Sequence, residues 1–217
     1  MPKVLYFGLW AKSAAIKLLL KHKNIEFTEE TPGQGDVKPW PELKAEFPQR
    51  GGVPWFTNDK GEVYTQSMSI LRALAKEHGY VADTPMGEYE SDYTIDVLDD
   101  AFNVPGFPKA FFAGDGLTQE QRDMVVGALT KALDILDARW ADGRKYVAGD
   151  KVTSGDFKLV GMDAGIFSNE AGAKNKDFQK QLSEELQKRT NVVRIIKQVR
   201  SENGLEEYIK NYPACSI

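Results

Sequence analysis

The dipeptide Val53-Pro54, at the entrance to a short apolar strand pattern, constrains this chain more than any other sequence feature. Proline has no backbone N–H and tolerates a cis peptide bond, so it does not fit the interior of a central strand. A turn sequence at 58–61 and a second strand follow, and a helix then opens at Gln66-Ser67. This pattern predicts a β-hairpin and a helix, with the backbone at Pro54 and the helix N-terminus free to bind an anionic peptide ligand.

The N-terminal segment predicts a β-α-β unit. Residues 3–7 are apolar and β-branched or aromatic, as in a buried strand, and residues 13–23 carry apolar side chains at helical spacing. Residues 25–29 alternate between apolar and polar side chains, which predicts a second strand. A crossover of this length is right-handed and gives a parallel pair of strands. Together with the hairpin, this unit resembles a thioredoxin-like domain, which we place at residues 1–80.

Beyond the first domain the whole pattern is helical. The predicted helices span residues 88–102, 118–140, 154 onward, 179–187 and 191–200. Pro105 and Pro108 kink or end the first, and capping boxes at 118–121 and 153–156 open the second and third. We assign the box at 153–156 a folding role and no catalytic one. The predicted fold class is therefore an α/β thioredoxin-like N-terminal domain followed by an all-α helical bundle over residues 81–217.

The bulk composition excludes several classes of partner. The net charge is −4 and the 28 Lys and Arg residues are scattered, so no nucleic-acid partner is expected. No run of about 18 apolar residues predicts a membrane span, and no export signal precedes the first strand, so we expect a cytoplasmic protein without a membrane partner. A single cysteine, Cys215, excludes internal disulfides, a CxxC redox motif and a cysteine metal site, and its own role is left open.

Six segments of the chain resemble motifs of the cytosolic glutathione transferases, and they occur in the family's order. They are Leu5-Tyr6-Phe7, Trp40-Pro41-Glu42-Leu43-Lys44, Val53-Pro54, Gln66-Ser67, 95–100 and 148–156. The tyrosine of the first segment and the short loop before Trp40 make the chain most similar to the tyrosine-type classes, sigma first and mu second. The resemblance implies a cytoplasmic, homodimeric detoxification enzyme that conjugates its co-substrate glutathione to small apolar electrophiles.

The resemblance gives Tyr6 the catalytic role. The thiol of glutathione has an unperturbed pKa of about 8.5, by analogy with cysteine, so few molecules carry the nucleophilic thiolate at neutral pH. A phenol that donates a hydrogen bond to the sulfur favours the thiolate and lowers this pKa. From the residues alone, the alternative is that Tyr6 is a strand tyrosine packed in the core.

The resemblance also implies which residues hold the tripeptide. Trp40 and Lys44 lie one helical turn apart and can both donate to the glycyl carboxylate. Gln66 and Ser67 open a helix whose first N–H groups can hold the γ-glutamyl carboxylate, and the backbone of Val53 can pair with the cysteinyl residue. The implied glutathione-binding residues are Tyr6, Lys12, Trp40, Lys44, Gly52, Val53, Pro54, Gln66, Ser67 and Asp100. The alternatives are a tryptophan that anchors a loop beside a solvated lysine, and an ordinary helix cap.

Four carboxylates follow one face of the first long helix, at Asp92, Asp96, Asp99 and Asp100. Like charges at this spacing repel each other, so we expect cations to offset them. The resemblance implies that Asp100 reaches the γ-glutamyl ammonium bound in the neighbouring subunit. The alternatives are a solvated acidic face and a weak divalent-ion site, but carboxylates alone specify no particular metal, and we assign no metal ligands.

One position departs from the family pattern. Lys12 stands where an arginine is usual, which keeps the positive charge but loses the planar guanidinium. The loop beside it is apolar. With aromatic residues after the proline kink it predicts an electrophile pocket, for which we name Leu9, Trp10, Phe107 and Phe111. Simple packing of these side chains is the alternative.

Two other functions stay open. The first is a glutathione-dependent isomerase, such as a prostaglandin D synthase, and the second is a non-catalytic member that resembles a lens crystallin or carries a ligand. The histidines favour neither. His22 and His78 are expected at helix C-termini, where they interact with the helix dipole, and neither belongs to a catalytic or metal-binding motif.

Overall fold

The computed structural model describes residues 1–105, 107, 118–169 and 175–212. Its strands are β1 (Lys3–Leu5), β2 (Thr28–Glu30), β3 (Trp55–Thr57) and β4 (Val63–Thr65), in the sheet order β2-β1-β3-β4. β1 and β2 are parallel, and the other two pairs are antiparallel. This topology confirms the predicted parallel β-α-β unit and the hairpin that follows it.

Helices accompany the sheet and then continue without further strands through the rest of the described chain. The helices of the sheet region are α1 (Ala14–His22), α2 (Trp40–Glu46) and α3 (Ser67–His78). The helices that follow are α4 (Pro85–Phe102), α5 (Gln119–Arg139), α6 (Ser154–Met162), α7 (Lys176–Gln187), α8 (Thr190–Arg200) and α9 (Leu205–Asn211). This order confirms the predicted fold class. Within the ranges given above, no helix has the length and apolar character needed to cross a membrane.

The largest error in the predicted strands concerns β2. The strand expected over 25–29 begins only at Thr28, so the prediction is wrong for residues 25–27. Asn24 takes a left-handed conformation with φ 58°, and the N–H of Ile25 donates to Leu20 O at 2.9 Å. This hydrogen bond closes the C-terminus of α1, because the last carbonyls of a helix need donors from the residues that follow.

Helix α6 lies at the centre of the molecule, and all of its residues are buried. It packs closely on α1 and α4 because two glycines leave room for the neighbouring backbones. A Cβ atom at Gly155 would stand 2.8 Å from Ser91 O, and one at Gly161 would stand 3.0 Å from Ala14 Cβ. The approach of the helical region to the sheet region therefore depends on these two missing side chains.

Both predicted capping boxes are confirmed. At α5, Thr118 Oγ1 accepts a hydrogen bond from the Gln121 N–H at 3.2 Å, and the Gln121 side chain bonds back to the Thr118 N–H. At α6, the fully buried Asp156 carboxylate accepts from the N–H groups of Thr153 (2.8 Å) and Val147 (2.9 Å). Burial raises the pKa of Asp156 to about 6, against the effect of these hydrogen bonds. The second box thus has the folding role predicted for it.

Helix α9 is absent from the sequence predictions, and it packs against the sheet region. Tyr208 and Tyr212 both donate hydrogen bonds to the Glu29 carboxylate, at 3.0 and 2.7 Å, and the same carboxylate pairs with the buried Lys17 Nζ at 2.6 Å. Trp10 lies against both tyrosine rings, with centroid distances of 5.7 and 3.9 Å. Helix α9 thereby covers the turn that follows β1.

Candidate functional site

Tyr6 lies at the C-terminal end of β1, and its hydroxyl reaches the backbone of the following turn. Its N–H donates to Glu30 O at 2.9 Å and so extends the pairing of the sheet. Its Oη accepts a hydrogen bond from the Lys12 N–H at 3.4 Å, and only 8% of the residue is exposed. Burial raises the pKa of Tyr6, although the Lys12 hydrogen bond opposes this. The side chain is therefore a neutral phenol at pH 7, and its proton is available to an acceptor.

The turn that supplies this N–H is held in a strained conformation. Ala11 has a φ of 26°, which is uncommon for a residue with a side chain. Ser13 Oγ donates to Trp10 O at 3.0 Å and fixes the turn from within. As a result the backbone of Lys12 faces the phenol while its ammonium side chain is exposed. Strain of this kind is concentrated at functional sites.

Trp40 and Lys44 lie on α2, one turn apart, as predicted. The Trp40 ring meets Phe7 edge to face, with centroids 6.2 Å apart, and Phe7 in turn lies 5.6 Å from the Tyr6 ring. Trp40 also packs on Trp55 of β3, with centroids 5.9 Å apart. The indole is half-buried and Lys44 is exposed. The chain of aromatic contacts thus joins α2, which carries both donors, to the end of β1 at Tyr6.

The Val53-Pro54 peptide is cis, as the sequence allows, and it lies at the same end of the hairpin as Gln66. Gln66 has a φ of 70°, a second strained conformation, and it immediately precedes α3. No side chain in the described part of the chain caps this helix, so its first N–H groups remain open to an anion. Ser67 begins α3, and Gly52 is exposed before the cis peptide. The predicted peptide-binding backbone and the predicted anion-binding helix end are thus neighbours.

Three of the four carboxylates along α4 have the cationic partners that their repulsion requires. Arg72 of α3 donates to Asp92 at 2.7 Å and to Asp96 at 3.0 Å. Lys158 of α6 pairs with Asp99, with Nζ and Oδ1 2.9 Å apart. Asp100 is exposed, and its carboxylate has no hydrogen-bond or ionic partner among the residues that the structure describes. Of the four carboxylates, this one is free to bind an added cation.

Lys158 brings a buried ammonium to the crevice that Lys12 also lines. The crevice is narrow, and Met68, Phe102 and Met162 form much of its wall. Lys158 is absent from the predicted site residues, because a lysine in the apolar run at 157–162 is typical of the polar face of a helix. The repulsion among the carboxylates of α4 predicts a cationic partner, but it does not identify the residue that provides the cation. In the described part of the chain, no three His, Cys, Asp or Glu side chains are grouped so as to hold a metal ion.

Two of the side chains predicted to line an electrophile pocket lie in the turn after β1, and both are buried. Leu9 and Trp10 belong to the core, and the Trp10 ring is covered by α9. Phe107 is also buried and packs on Phe102, with centroids 4.5 Å apart. Phe111 lies outside the described residues. Packing accounts for the contacts that are seen, and a role in a pocket stays a prediction.

His22 lies at the C-terminus of α1, as predicted, but it is buried within a polar cluster. Its Nε2 is 3.3 Å from the Glu202 carboxylate and its Nδ1 is 2.6 Å from Tyr80 Oη. The carboxylate only accepts, so the neutral ring donates from Nε2 and accepts the Tyr80 proton at Nδ1. Asn203 Nδ2 donates to His22 O at 2.8 Å. The cluster ties α1 to the segment after α8, and burial lowers the pKa of His22.

Comparisons with known proteins agree with this arrangement. Residues 2–76 match the family model described as "Glutathione S-transferase, N-terminal domain". The chain is 30% identical to glutathione S-transferase 1 of Ascaris suum over 163 residues, which cover 73% of this chain and 76% of that protein. It is 29% identical to the hematopoietic prostaglandin D synthase of Gallus gallus over 155 residues, or 71% of this chain and 74% of that protein.

Among solved structures, the glutathione S-transferase from Ascaris lumbricoides superposes with a TM-score of 0.75 at 26% identity, over 98% of both chains. The likeness therefore extends through the helices that follow the sheet as well as through the sheet region. The chain belongs to the glutathione S-transferase family, and it is built as a thioredoxin-like domain followed by a helical domain.

Proposed function

We propose that Tyr6 stabilises the thiolate of bound glutathione, and that this thiolate attacks a small apolar electrophile. As a member of its family, the chain is a glutathione transferase. The observation that carries the residue assignment is the hydrogen bond from the Lys12 N–H to Tyr6 Oη. In this hydrogen bond the phenol oxygen is the acceptor, so the phenol proton remains available to the sulfur. The raised pKa of Tyr6 keeps the phenol protonated until the sulfur binds.

The tripeptide would lie across the end of the sheet between α2 and α3. Trp40 and Lys44 would donate to its glycyl carboxylate, and the backbone of Val53, between Gly52 and Pro54, would pair with its cysteinyl residue. The γ-glutamyl carboxylate would accept from Gln66, Ser67 and the open N–H groups of α3. The exposed Lys12 ammonium adds positive charge on the side of the sulfur.

A two-fold dimer would complete each site. Asp100 is the free carboxylate on α4, and the γ-glutamyl ammonium needs an anion that Gln66 and Ser67 cannot supply. Large apolar side chains are also exposed on α4, at Met86 and Tyr89, and on α5, at Met124 and Ile135. Exposed apolar side chains on adjacent helices favour an interface. We therefore propose that Asp100 binds the ammonium held by the partner subunit.

Several finer assignments belong to the same proposal. The short loop before Trp40 supports the sigma class. The change to an all-helical pattern supports a boundary between the two domains at residues 80 and 81. A cytoplasmic role in detoxification is consistent with the family and with conjugation as the reaction. The electrophile would approach along Leu9 and Trp10 and the segment around Phe107 and Phe111.

A second candidate is isomerisation of a prostaglandin endoperoxide. It is favoured by the similarity to hematopoietic prostaglandin D synthases of chicken, mouse and rat. The thiolate requirement at Tyr6 is the same for both reactions, so the substrate decides between them. Comparing the specific activity on a chlorodinitrobenzene-type electrophile with that on a prostaglandin endoperoxide separates the two.

The test of the proposed function is an ultraviolet titration of the thiolate of bound glutathione, after retention on immobilised glutathione. The expected result is a thiol pKa well below its value in free glutathione. Retention with an unchanged thiol pKa would instead support a non-catalytic member of the family. Failure to bind glutathione at all would exclude both the transferase and the non-catalytic glutathione-binding protein.

A further inference from the structure

Among the residues that the structure describes, Lys158 and Lys17 are the buried lysines. Only 5% of Lys158 is exposed, and its Nζ lies 2.9 Å from Asp99 Oδ1 and 4.9 Å from the centroid of the Phe102 ring. A lysine in such a place is costly unless it is paired, so its position depends on Asp99. The pair joins α6 to α4 on the wall of the crevice that Lys12 lines.

Asp99 faces two ammonium groups. Burial opposes its ionisation, but Lys158 lowers the pKa of Asp99 through charge and hydrogen bond, and the charge of Lys12 lowers it further. Asn103 Nδ2 donates to the same carboxylate at 3.4 Å. Lys158 contacts Asp99, and Lys12 lines the same crevice as Lys158, so we expect Lys12 to pair with Asp99 once Lys158 is removed.

The charged groups that face Lys158 come from three elements. Asp99 of α4 contacts it, and Lys12 from the turn after β1 and Arg72 of α3 repel it. Arg72 is already bound to Asp92 and Asp96. Burial lowers the pKa of Lys158, Asp99 raises it, and the two repelling cations lower it again. Among the residues that the structure describes, Asp99 is the one carboxylate that pairs with Lys158.

We propose that Lys158 is a positioning residue of the reaction: it holds Asp99, and so leaves the Lys12 ammonium free to act on the thiolate at Tyr6. The inference rests on the proposed function, because it concerns the sulfur that Tyr6 is proposed to bind. Lys158 itself need not touch glutathione. Its effect reaches the sulfur through the carboxylate that it keeps away from Lys12.

The distinguishing consequence is a rescue. Lys158→Met leaves Asp99 without its partner, and an ion pair between Asp99 and Lys12 then neutralises the charge near the sulfur. The thiol pKa of bound glutathione should rise by about one unit, which is about a tenfold loss of thiolate at a pH below the pKa. In Lys158→Met/Asp99→Asn no carboxylate remains to capture Lys12, and the thiol pKa should return to within about 0.3 units of wild type.

The experiment is the ultraviolet thiolate titration of glutathione bound to wild type, to the single variant and to the double variant. Lys158→Gln, which retains a hydrogen bond to Asp99 without the charge, serves as the second variant if Lys158→Met does not fold, and it should raise the thiol pKa in the same direction. Lys151→Met removes an exposed lysine that pairs with Asp83, and should leave the titration unchanged. Lys158→Arg keeps the charge and should match wild type.

The outcomes separate this inference from the proposed function. If wild type does not lower the thiol pKa, the proposed function fails and this inference fails with it. If wild type lowers it but the neutral variants at 158 titrate like wild type, only the inference is overturned. It is also overturned if the double variant stays at the raised pKa of the single variant, because Lys158 would then act directly and not through Asp99.

Discussion

The N–H of Lys12 donates to the phenol oxygen of Tyr6 at 3.4 Å, so the contact between these residues is made by the backbone of one and the side chain of the other. The replacement of arginine by lysine at position 12 therefore leaves this hydrogen bond intact. The side chain of Lys12 is exposed, so in the proposed mechanism it would act through its charge. Two separate contributions to the thiolate, one directional and one long-range, would thus start from the same residue.

Tyr6→Phe should remove the directional contribution and leave glutathione binding nearly intact. Losing one hydrogen bond to a charged group, worth about 1.5–3 kcal/mol, lowers turnover by roughly ten- to a thousandfold once some margin is allowed. Turnover and the dissociation constant of glutathione should be measured on the same preparation. Wild-type turnover in this variant would exclude Tyr6 from the mechanism and direct attention to Ser13 or a backbone donor near Gly8.

Asp100→Asn should weaken glutathione binding by about 1.5–3 kcal/mol, because the γ-glutamyl ammonium loses its anion. Salt screens the charge interaction, so the loss should be smaller at high ionic strength. Asp96→Asn is the matched control, since that carboxylate is already bound to Arg72. Calorimetric titration with glutathione measures the affinity, and sedimentation measures the oligomeric state. A monomer that binds glutathione equally well with and without the Asp100 carboxylate would contradict both the shared site and the dimer.

Gly155→Ala should destabilise the fold, because its methyl group would meet the Ser91 backbone at 2.8 Å. Overpacking of this kind costs about 1–3 kcal/mol. The control is Gly127→Ala in the exposed face of α5, where a Cβ meets nothing within 4 Å. That variant should gain about 0.5–1 kcal/mol from helix propensity. Denaturant unfolding compares the two, and equal signs would contradict the close packing of α6.

Asp156→Ala should cost about 2–4 kcal/mol of the free energy of unfolding, since it leaves the buried N–H groups of Thr153 and Val147 without acceptors. Thr118→Ala removes the cap of α5, which is exposed, and should cost about 1 kcal/mol. Chemical denaturation of the two variants measures the difference. If Asp156→Ala lowers the free energy of unfolding by no more than Thr118→Ala does, the stability of the fold does not depend more strongly on the buried cap than on the exposed one.

The contribution of His22 to stability should fall as the pH drops below about 6.5, the unperturbed pKa of histidine. Burial lowers the pKa of His22, so the unfolded chain binds a proton at a pH where the folded chain does not. Protons then favour unfolding, and this contribution is lost from about pH 6.5 downward. The raised pKa of Asp156, about 6, acts in the opposite direction below that pH, so unfolding should be measured between about pH 7.5 and 6. His22→Asn should flatten the pH dependence of stability, and His78→Asn should not. If only His78→Asn flattened it, the cluster around His22 would not be its cause.

The parts of the fold that could be predicted are those with a local cause. The hairpin follows from the turn at 58–61, and the helix starts at Thr118 and Thr153 follow from side chains that bond to backbone three residues away. Helix α9 has no such start signal, because Gly204 precedes it and no side chain caps it. Its stability comes from contacts of Tyr208 and Tyr212 with residues far away in sequence.

The residues of the functional site also differ in whether a local sequence signal or only a distant contact determines their position. The positions of Tyr6, Trp40 and Gln66 relative to their strands and helices could be predicted from short motifs. Lys158 could not be, since a lysine is ordinarily an exposed residue, and only the folded chain shows that Asp99 makes its burial tolerable. The same holds for His22, whose partners Tyr80 and Glu202 lie in distant segments.

The packing of Trp10 against Tyr208 and Tyr212 has a consequence for synthesis of the protein. A ribosome makes the turn that carries Lys12 long before the tyrosines that cover it. Until α9 emerges, the indole of a nascent thioredoxin-like domain lacks the two tyrosine rings that pack on it in the folded protein. The enzyme should therefore acquire its chemistry only after α9 has been made, and a chain truncated before Gly204 should fold a sheet without becoming a catalyst.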